Sequence, residues 1–360
     1  MVGDWKYYLL LLGIDMLNGE RSLPAVIHLL RGRKNHQVMQ DCALFGTSLL
    51  YGELHKLSVH QLQQYIMELQ SAGLIQITSQ PSVFCTEEGK KILKEWNGEN
   101  RIESCIKAFP AIGHKVESTH FWLRLELLVQ TLSHVTQGVK SFYPVVAKEE
   151  IREEVKGIFY QEPDVQNQAL LLKQEIYQWM LTLKEWERKI ILMRFSGKDK
   201  GGLTFPQIGV HLEEPGEWVR FQLLRLAREK IRSLTLQETP ILYRIAYNNR
   251  EKGVLSQSAQ KTFYLLKSGN GLAQIASLRG LRMGTVEDHL VEISLAEPAF
   301  DITSFVDKEK QKKIIEIINT YGTRKLGDIK RLVGEGVTFL EIRLVCGREA
   351  VNRGTWKKNS

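Results

Sequence analysis

The stretch LAQIASLRGLRMGTVEDHL, residues 272–290, restricts the fold more than any other part of the chain. Ala276, Gly280 and Val286 fall at the intervals of a bihelical turn. Alanine lets two helices approach, glycine takes the turn where a side chain would clash, and valine packs between the helices. Such a unit calls for short helices meeting at a sharp corner. Two more stretches follow the same plan, so the expected fold is mainly α, with several helix-turn-helix modules.

The first of these begins at Ser58, a fitting N-cap, and continues with Leu62, Ile66 and Leu69 at spacings of four and three, one buried helical face. Gly73 ends that helix. Leu74 to Thr78, Gln80-Pro81-Ser82 and Val83 to Thr86 then read as a hairpin, in which Ile75, Ile77, Val83 and Cys85 share the inner face by alternation. A helix followed by a small β-hairpin is a winged helix. The other stretch runs LKEWERKIILMRF, LTFPQIGVHL and EWVRFQLLRLAREKIR, with Thr204 as cap of the middle helix. Arg220, Arg225, Arg228 and Arg232 give the last helix a basic face for a phosphate-lined groove, unless they pair internally with Glu217 or Glu229.

The chain of 360 residues is long enough for two or three cores. The boundaries read as 1–96 for an N-terminal helix and the winged helix, and 97–170 for a helical connector. Residues 171–250 form the second helix-turn-helix, and 251–360 the third with a basic tail. In the connector, Lys148 to Lys156 alternates acids and bases as a solvated helix face does, and Glu149, Glu150, Glu153 and Glu154 are assigned no chemistry. The net charge of +8 is concentrated: residues 171–235 carry 12 bases against 8 acids, and residues 299–360 carry 13 against 8. Surplus of that sign suits phosphate backbones.

Several function classes are disfavoured. Gly89-Lys90 and Gly197-Lys198 are the glycine-lysine pairs, and neither closes a phosphate-binding loop; no His-Glu-x-x-His helix or Gly-x-Ser-x-Gly elbow occurs. Cys42, Cys85, Cys105 and Cys346 form no C-x-x-C pair, so free thiols are expected rather than a metal knuckle or disulfide frame. The apolar run from Trp5 to Leu17 is interrupted by Lys6 and Asp15 and is too short to span a bilayer; it reads as a buried helix. The expectation is a non-enzymatic cytoplasmic protein with no cofactor, no metal and no membrane partner.

The segments LLRGRKNHQVMQDCALFGTSLLYG, KLSVHQLQQYIMELQSAGLIQI and VFCTEEGKKIL, between residues 29 and 93, resemble the winged-helix domain that follows the motor in RecQ-family DNA helicases. The resemblance implies phosphate contacts from Arg31, Gly32, Lys34 and Asn35, with Arg33, where the family often has Ser, adding to the local charge as a further candidate, and makes Phe84 the candidate for a strand-splitting wing aromatic. The second unit resembles region 4 of bacterial sigma factors, which makes the helix from Glu214 to Arg232 its groove reader. The third, continued by DITSFVDKEKQKKIIEIINTYGTRKLGDIKRLVGEGVTFLEIRLV, is similar to the helix-turn-helix domain near the carboxyl end of several RecQ-type helicases.

The combination resembles the YpbB family of Gram-positive bacteria, whose genes commonly lie beside a RecQ-type helicase. That resemblance implies accessory domains supplied in trans: a nucleoid-associated DNA-binding protein, gripping duplex or fork, that works with a RecQ-type helicase in repair or recombination. A sequence-specific transcription regulator using the sigma-like unit is the alternative, and a protein-interaction scaffold a third. The expected reading helix of the third unit carries Glu287, Asp288 and Glu292 and no Lys or Arg, so either these acids dock a protein partner, the outcome expected here, or DNA is held by the unit's flanks and by the tail with Arg353, Lys357 and Lys358.

Overall fold

A computed structural model describes residues 4–78, 82–97, 101–109, 112–247, 255–297 and 300–353. Among the described residues the protein has nineteen α-helices and one two-stranded antiparallel sheet, so the mainly helical expectation holds. The chain divides into two compact units. One joins residues 1–113 to 253–360, and the other comprises residues 114–252. The four consecutive segments read from the sequence therefore do not map one to one onto compact bodies.

The first unit is built on α1 (Trp5–Leu17), with α2 (Leu23–Arg31), α4 (Val59–Ser71), α5 (Glu87–Asn97) and the sheet against it. Leu10, Leu11 and Ile14 are fully buried, as the apolar run required. Each such side chain stabilises the fold by roughly 1.5–3 kcal/mol. Between α2 and α4 lies α3 (His36–Phe45), and α6 (Arg101–Ala108) follows α5. Ser58 caps α4 by accepting from the Gln61 N–H, and the Gln61 side chain accepts from the Ser58 N–H in return. The sheet pairs β1 (Ile75–Ile77) with β2 (Val83–Cys85), Ile75 opposite Cys85 and Ile77 opposite Val83, which is the register the alternation implied. Gln80 and Pro81 of the hairpin lie outside the described residues.

The second unit contains α7 (Ile112–Val135, from His114 on), α8 (Glu149–Phe159), α9 (Val165–Leu181), α10 (Glu185–Arg194), α11 (Phe205–Leu212), α12 (Gly216–Ser233) and α13 (Pro240–Tyr247). Residues 114–170 of the expected connector belong to this unit, and residues 97–113 to the first. Glu154 is buried in an ion pair with Arg124 at 2.6 Å, and Arg124 also donates to the Ile245 carbonyl, so the charge pattern of α8 is not a fully solvated face. Glu175 of α9 accepts from the N–H groups of Ile241 and Leu242, satisfying donors that the first turn of α13 leaves open. Pro206 sits in the first turn of α11, where its missing N–H costs no helical bond.

The carboxyl-terminal part of the first unit holds α14 (Gln257–Lys267), α15 (Leu272–Arg279), α16 (Met283–Ala296), α17 (Lys308–Tyr321), α18 (Leu326–Val333) and α19 (Phe339–Arg353). The turn between α15 and α16 is the one expected, with Gly280 at φ +61° and Val286 fully buried. A Cβ at Gly280 would meet no other atom within 4 Å. Glycine is favoured there by its left-handed backbone, not by a clash. Helix α16 packs against α14, α15 and α19 and also against α3, so the N-terminal and C-terminal segments share one core. Arg343 of α19 is the polar link. Its Nε donates to the wholly buried Gln40 on α3 at 2.9 Å and its Nη2 to Asp288 on α16 at 2.6 Å.

Hydrogen bonds to charged groups contribute roughly 1.5–3 kcal/mol each, and removing one partner also strands the other. Arg343→Ala is therefore expected to destabilise the first unit by about 2–3 kcal/mol in urea titration, while Arg343→Lys recovers part of the loss. Unchanged stability of the alanine variant would show that apolar packing alone joins α3 to α16.

Candidate nucleic-acid interface

The exposed bases of the winged helix are held in place by backbone geometry. Helix α2 ends at Gly32, whose φ of +70° and whose approach to Gly52 both demand glycine; a Cβ there would lie 2.8 Å from the Gly52 Cα. The N–H groups of Gly52 and Leu54 donate to the carbonyls of Leu29 and Leu30 at 3.0 and 2.8 Å, and the Tyr51 hydroxyl donates to the Gly32 carbonyl at 2.9 Å. These bonds bring exposed Arg31, Arg33 and Lys34 beside exposed His55 and Lys56, just ahead of α4. Arg33 donates to His28 Nε2 at 2.8 Å. Burial, helped by Arg33 and Arg31, holds the His28 ring below its ordinary pKa, so it stays a neutral acceptor. Asn35 does not point outward as a phosphate ligand; its side chain caps α3 by accepting from the Val38 N–H. Two acids lie in the span 28–67: Asp41, bonded to Arg21, and Glu53, in the turn itself.

Sequence reasoning missed the outer face of α4. Only Leu62, Ile66 and Leu69 of this helix are buried, so His60, Gln63, Gln64 and Met67 are exposed in front of the wing. Glu68, the acid of α4, accepts from the Tyr7 hydroxyl of α1, and that bond pushes the Tyr7 pKa up to about 12. The glutamines Gln63 and Gln64, ahead of exposed Glu68, are chemically suited to base edges, since an amide can pair with adenine N6 and N7. The signal was the narrowness of the apolar stripe. Phe84, in contrast, packs in the hairpin: its ring covers Gly19, where an added Cβ would fall 1.9 Å from the ring. Gly19 lies in the turn after α1, so the ring rests against that turn while remaining 38% exposed.

The arginines of the sigma-like unit are placed differently from the expectation. Ten of the eighteen residues of α12 are buried, Arg225 among them, so this helix is a core element of its unit. Arg225 donates to Glu187 and to both oxygens of Glu229, and Arg228 pairs with Glu117 at 2.6 Å. Internal pairing is thus what the structure shows for these two, with Glu187, Glu229 and Glu117 rather than with Glu217. Arg220 lies 5.1 Å over the Phe221 ring, and burial lowers its pKa to about 10. Arg232 alone of the four is exposed.

The acidic helix of the third unit also turns inward. Asp288 holds Arg343, and Glu292 accepts from the N–H and hydroxyl of Ser256, while Glu287 is half-buried. Because α16 is packed along most of its length, it offers no groove reader beyond its first turn and not the continuous acidic docking face expected. Lys357 and Lys358 lie outside the described residues. Gly89 is needed for packing, not phosphate binding: a Cβ there would lie 2.3 Å from the Leu74 carbonyl oxygen. Among the described residues no group of His, Cys, Asp or Glu could hold a metal ion, and no helix is long and apolar enough to cross a membrane.

Comparison with known proteins agrees with the third unit. Residues 258–346 match the family model described as a helix-turn-helix domain. Over 338 residues the chain is 28% identical to Protein YpbB of Bacillus subtilis (strain 168), covering 92% of this chain and 94% of that protein. No solved structure matches the chain significantly.

Two outcomes follow from the buried charges of the second unit. Arg225→Ala leaves Glu187 buried without its partner, and breaking such a pair costs about 3–5 kcal/mol; the variant should melt early yet keep the salt dependence of DNA binding of the parent chain. His114 is held down at a pKa of about 4 by burial and by Arg228 and Arg232, whereas the unfolded ring binds a proton near 6.5. Its contribution to stability is complete above pH 6.5 and is lost as pH falls toward 4, roughly 2–3 kcal/mol in all. Glu126 acts in the opposite sense, because burial raises its carboxyl to about 7 against the pull of Arg194. Urea midpoints of His114→Gln and the parent should accordingly converge or cross as pH drops from 7 to 4; parallel curves would exclude the effect.

Proposed function

We propose that the protein is a DNA-binding accessory factor that grips duplex DNA through its N-terminal winged helix and works with a RecQ-type helicase in repair or recombination. The observation that carries the DNA part is the exposed cluster of Arg31, Arg33, Lys34 and Lys56 fixed at the start of the outer face of α4. Bases held by backbone bonds can neutralise phosphates with little further ordering, and the helix behind them can face base edges. The helicase part rests on the resemblance of the winged-helix and third-unit sequences to RecQ-type helicase domains, while the helix-turn-helix match at 258–346 supports DNA binding. The factor needs no catalytic step of its own, so no ATP turnover is expected of the purified chain. The transcription-regulator alternative relied on α12 as a groove reader, and ten of its residues are buried.

Replacing Arg31, Arg33 and Lys34 together by Ala should weaken binding to forked and blunt duplexes alike. The log-log salt dependence should flatten by up to roughly three, since each phosphate contact contributes a slope of about 0.9. Fluorescence anisotropy across a salt series measures this directly. An unaltered slope would remove the patch from the interface, and strong preference for one duplex sequence would favour a regulator.

A further inference from the structure

The third helix-turn-helix carries a second surface with the chemistry of a nucleic-acid contact, located beside α16 and not along it. From Gly253 to Val286 the sequence holds Lys261, Lys267, Arg279 and Arg282 and no Asp or Glu. Gln257, Gln260, Lys261 and Tyr264 recur at three, one and three residues, placing them on one face of α14, and all four are exposed. The opposite face buries Ala259 and Thr262. With Leu265 and Arg279 the outer face lines an open cleft of about 640 Å³.

Arg279 is fixed at this cleft by donating to the Ser258 carbonyl, the Ser258 hydroxyl and the Thr262 hydroxyl. Tyr264 is 73% exposed, so its ring is open to a ligand beside Lys261 and Arg279. Asp288 is bonded to Arg343, and Glu292 to Ser256 at the start of α14. Glu287 lies one turn beyond exposed Met283 on α16, so a phosphate-lined groove admits at most the first turn of that helix.

We infer that this cleft binds a single-stranded nucleic-acid segment, with one base stacked on Tyr264 and neighbouring phosphates neutralised by Lys261 and Arg279. A basic cleft with an exposed aromatic is the arrangement that holds unpaired strands without reading their sequence. A duplex keeps its bases stacked on one another and offers none to a lone ring. The contact is independent of the winged-helix patch and goes beyond the duplex grip proposed above.

The test uses the full-length chain, a short fluorescein-labelled oligo(dT) and a blunt duplex. Tyr264→Ala removes an exposed ring and should weaken oligo(dT) binding roughly five- to hundredfold, the usual loss for one stacked base. Tyr264→Phe should keep the parent affinity, and Lys261→Ala should lower the oligo(dT) salt slope by about 0.7. Duplex binding by Tyr264→Ala should be unchanged, and oligo(dT) binding should survive the triple Arg31, Arg33 and Lys34 change at reduced overall charge. No binding of oligo(dT) by the parent, equal binding by parent and Tyr264→Ala, or equal losses on single strand and duplex would each overturn the inference.

Discussion

The guanidinium of Arg343 joins parts of the chain some three hundred residues apart. It holds Gln40 of the winged helix on one side and Asp288 of the third helix-turn-helix on the other, at the point where α3, α16 and α19 pack together. Gln40 is completely buried, so its carbonyl oxygen depends on this donor. The consequence reaches function. Helix α16 is packed on the side that holds Val286, His289 and Leu290, which leaves its first turn, with exposed Met283, as the part that can enter a groove. Also open to a ligand is the rim of the first unit: the basic turn before α4, and the outer face of α14.

Burial, more than charge count, decides which bases act outward. Residues 171–235 carry a basic surplus in sequence, yet Arg194, Arg225 and Arg228 of that stretch end in ion pairs with Glu126, Glu187 and Glu117, as Arg124 does with Glu154. Taking either member of such a pair out of water is costly, and the attraction between them offsets that cost only while both are present. An arginine so held releases no condensed counterion when DNA approaches. The basic surplus therefore overstates the DNA-facing charge of α12, and the smaller, electrically balanced N-terminal segment carries the more usable cluster.

The difference explains what could be read from the sequence. Periodicity and turn residues reported α1, α4, the hairpin register and the turn at Gly280, because each is fixed by residues close in the chain. The burial of Leu62, Ile66 and Leu69 was legible for the same reason. Glu229 as a partner of Arg225 was legible too, four residues on, but Glu187 and the partners of Arg228, Asp288 and Glu154 were not, since they are set by packing between distant segments: Glu187 is 38 residues from Arg225, and Glu117 is 111 from Arg228. A basic or acidic helix face looks solvated until the element opposite it is known. Asn35 was misread as a ligand for a related reason, since capping and phosphate binding call on the same short polar side chain. Tyr264 and the α4 glutamines were overlooked because an exposed residue leaves little trace in hydropathy patterning.

The two candidate surfaces divide the work of recognition along physical lines. Contacts to phosphate set affinity and position but carry no sequence information, whereas base edges carry it. Around α4 the basic charges sit at the beginning of the helix and the amides along it, an arrangement that anchors a backbone and leaves the amides to the groove. At α14 the order is reversed, with an aromatic ring between a lysine and an anchored arginine, and a ring stacks on any base. Neither site depends on a sequence-specific charge pattern, and both depend on Lys and Arg that remain exposed. A factor that must engage double-stranded and unpaired DNA at a junction, wherever the junction forms, is served by that combination; a factor that must find one operator is not.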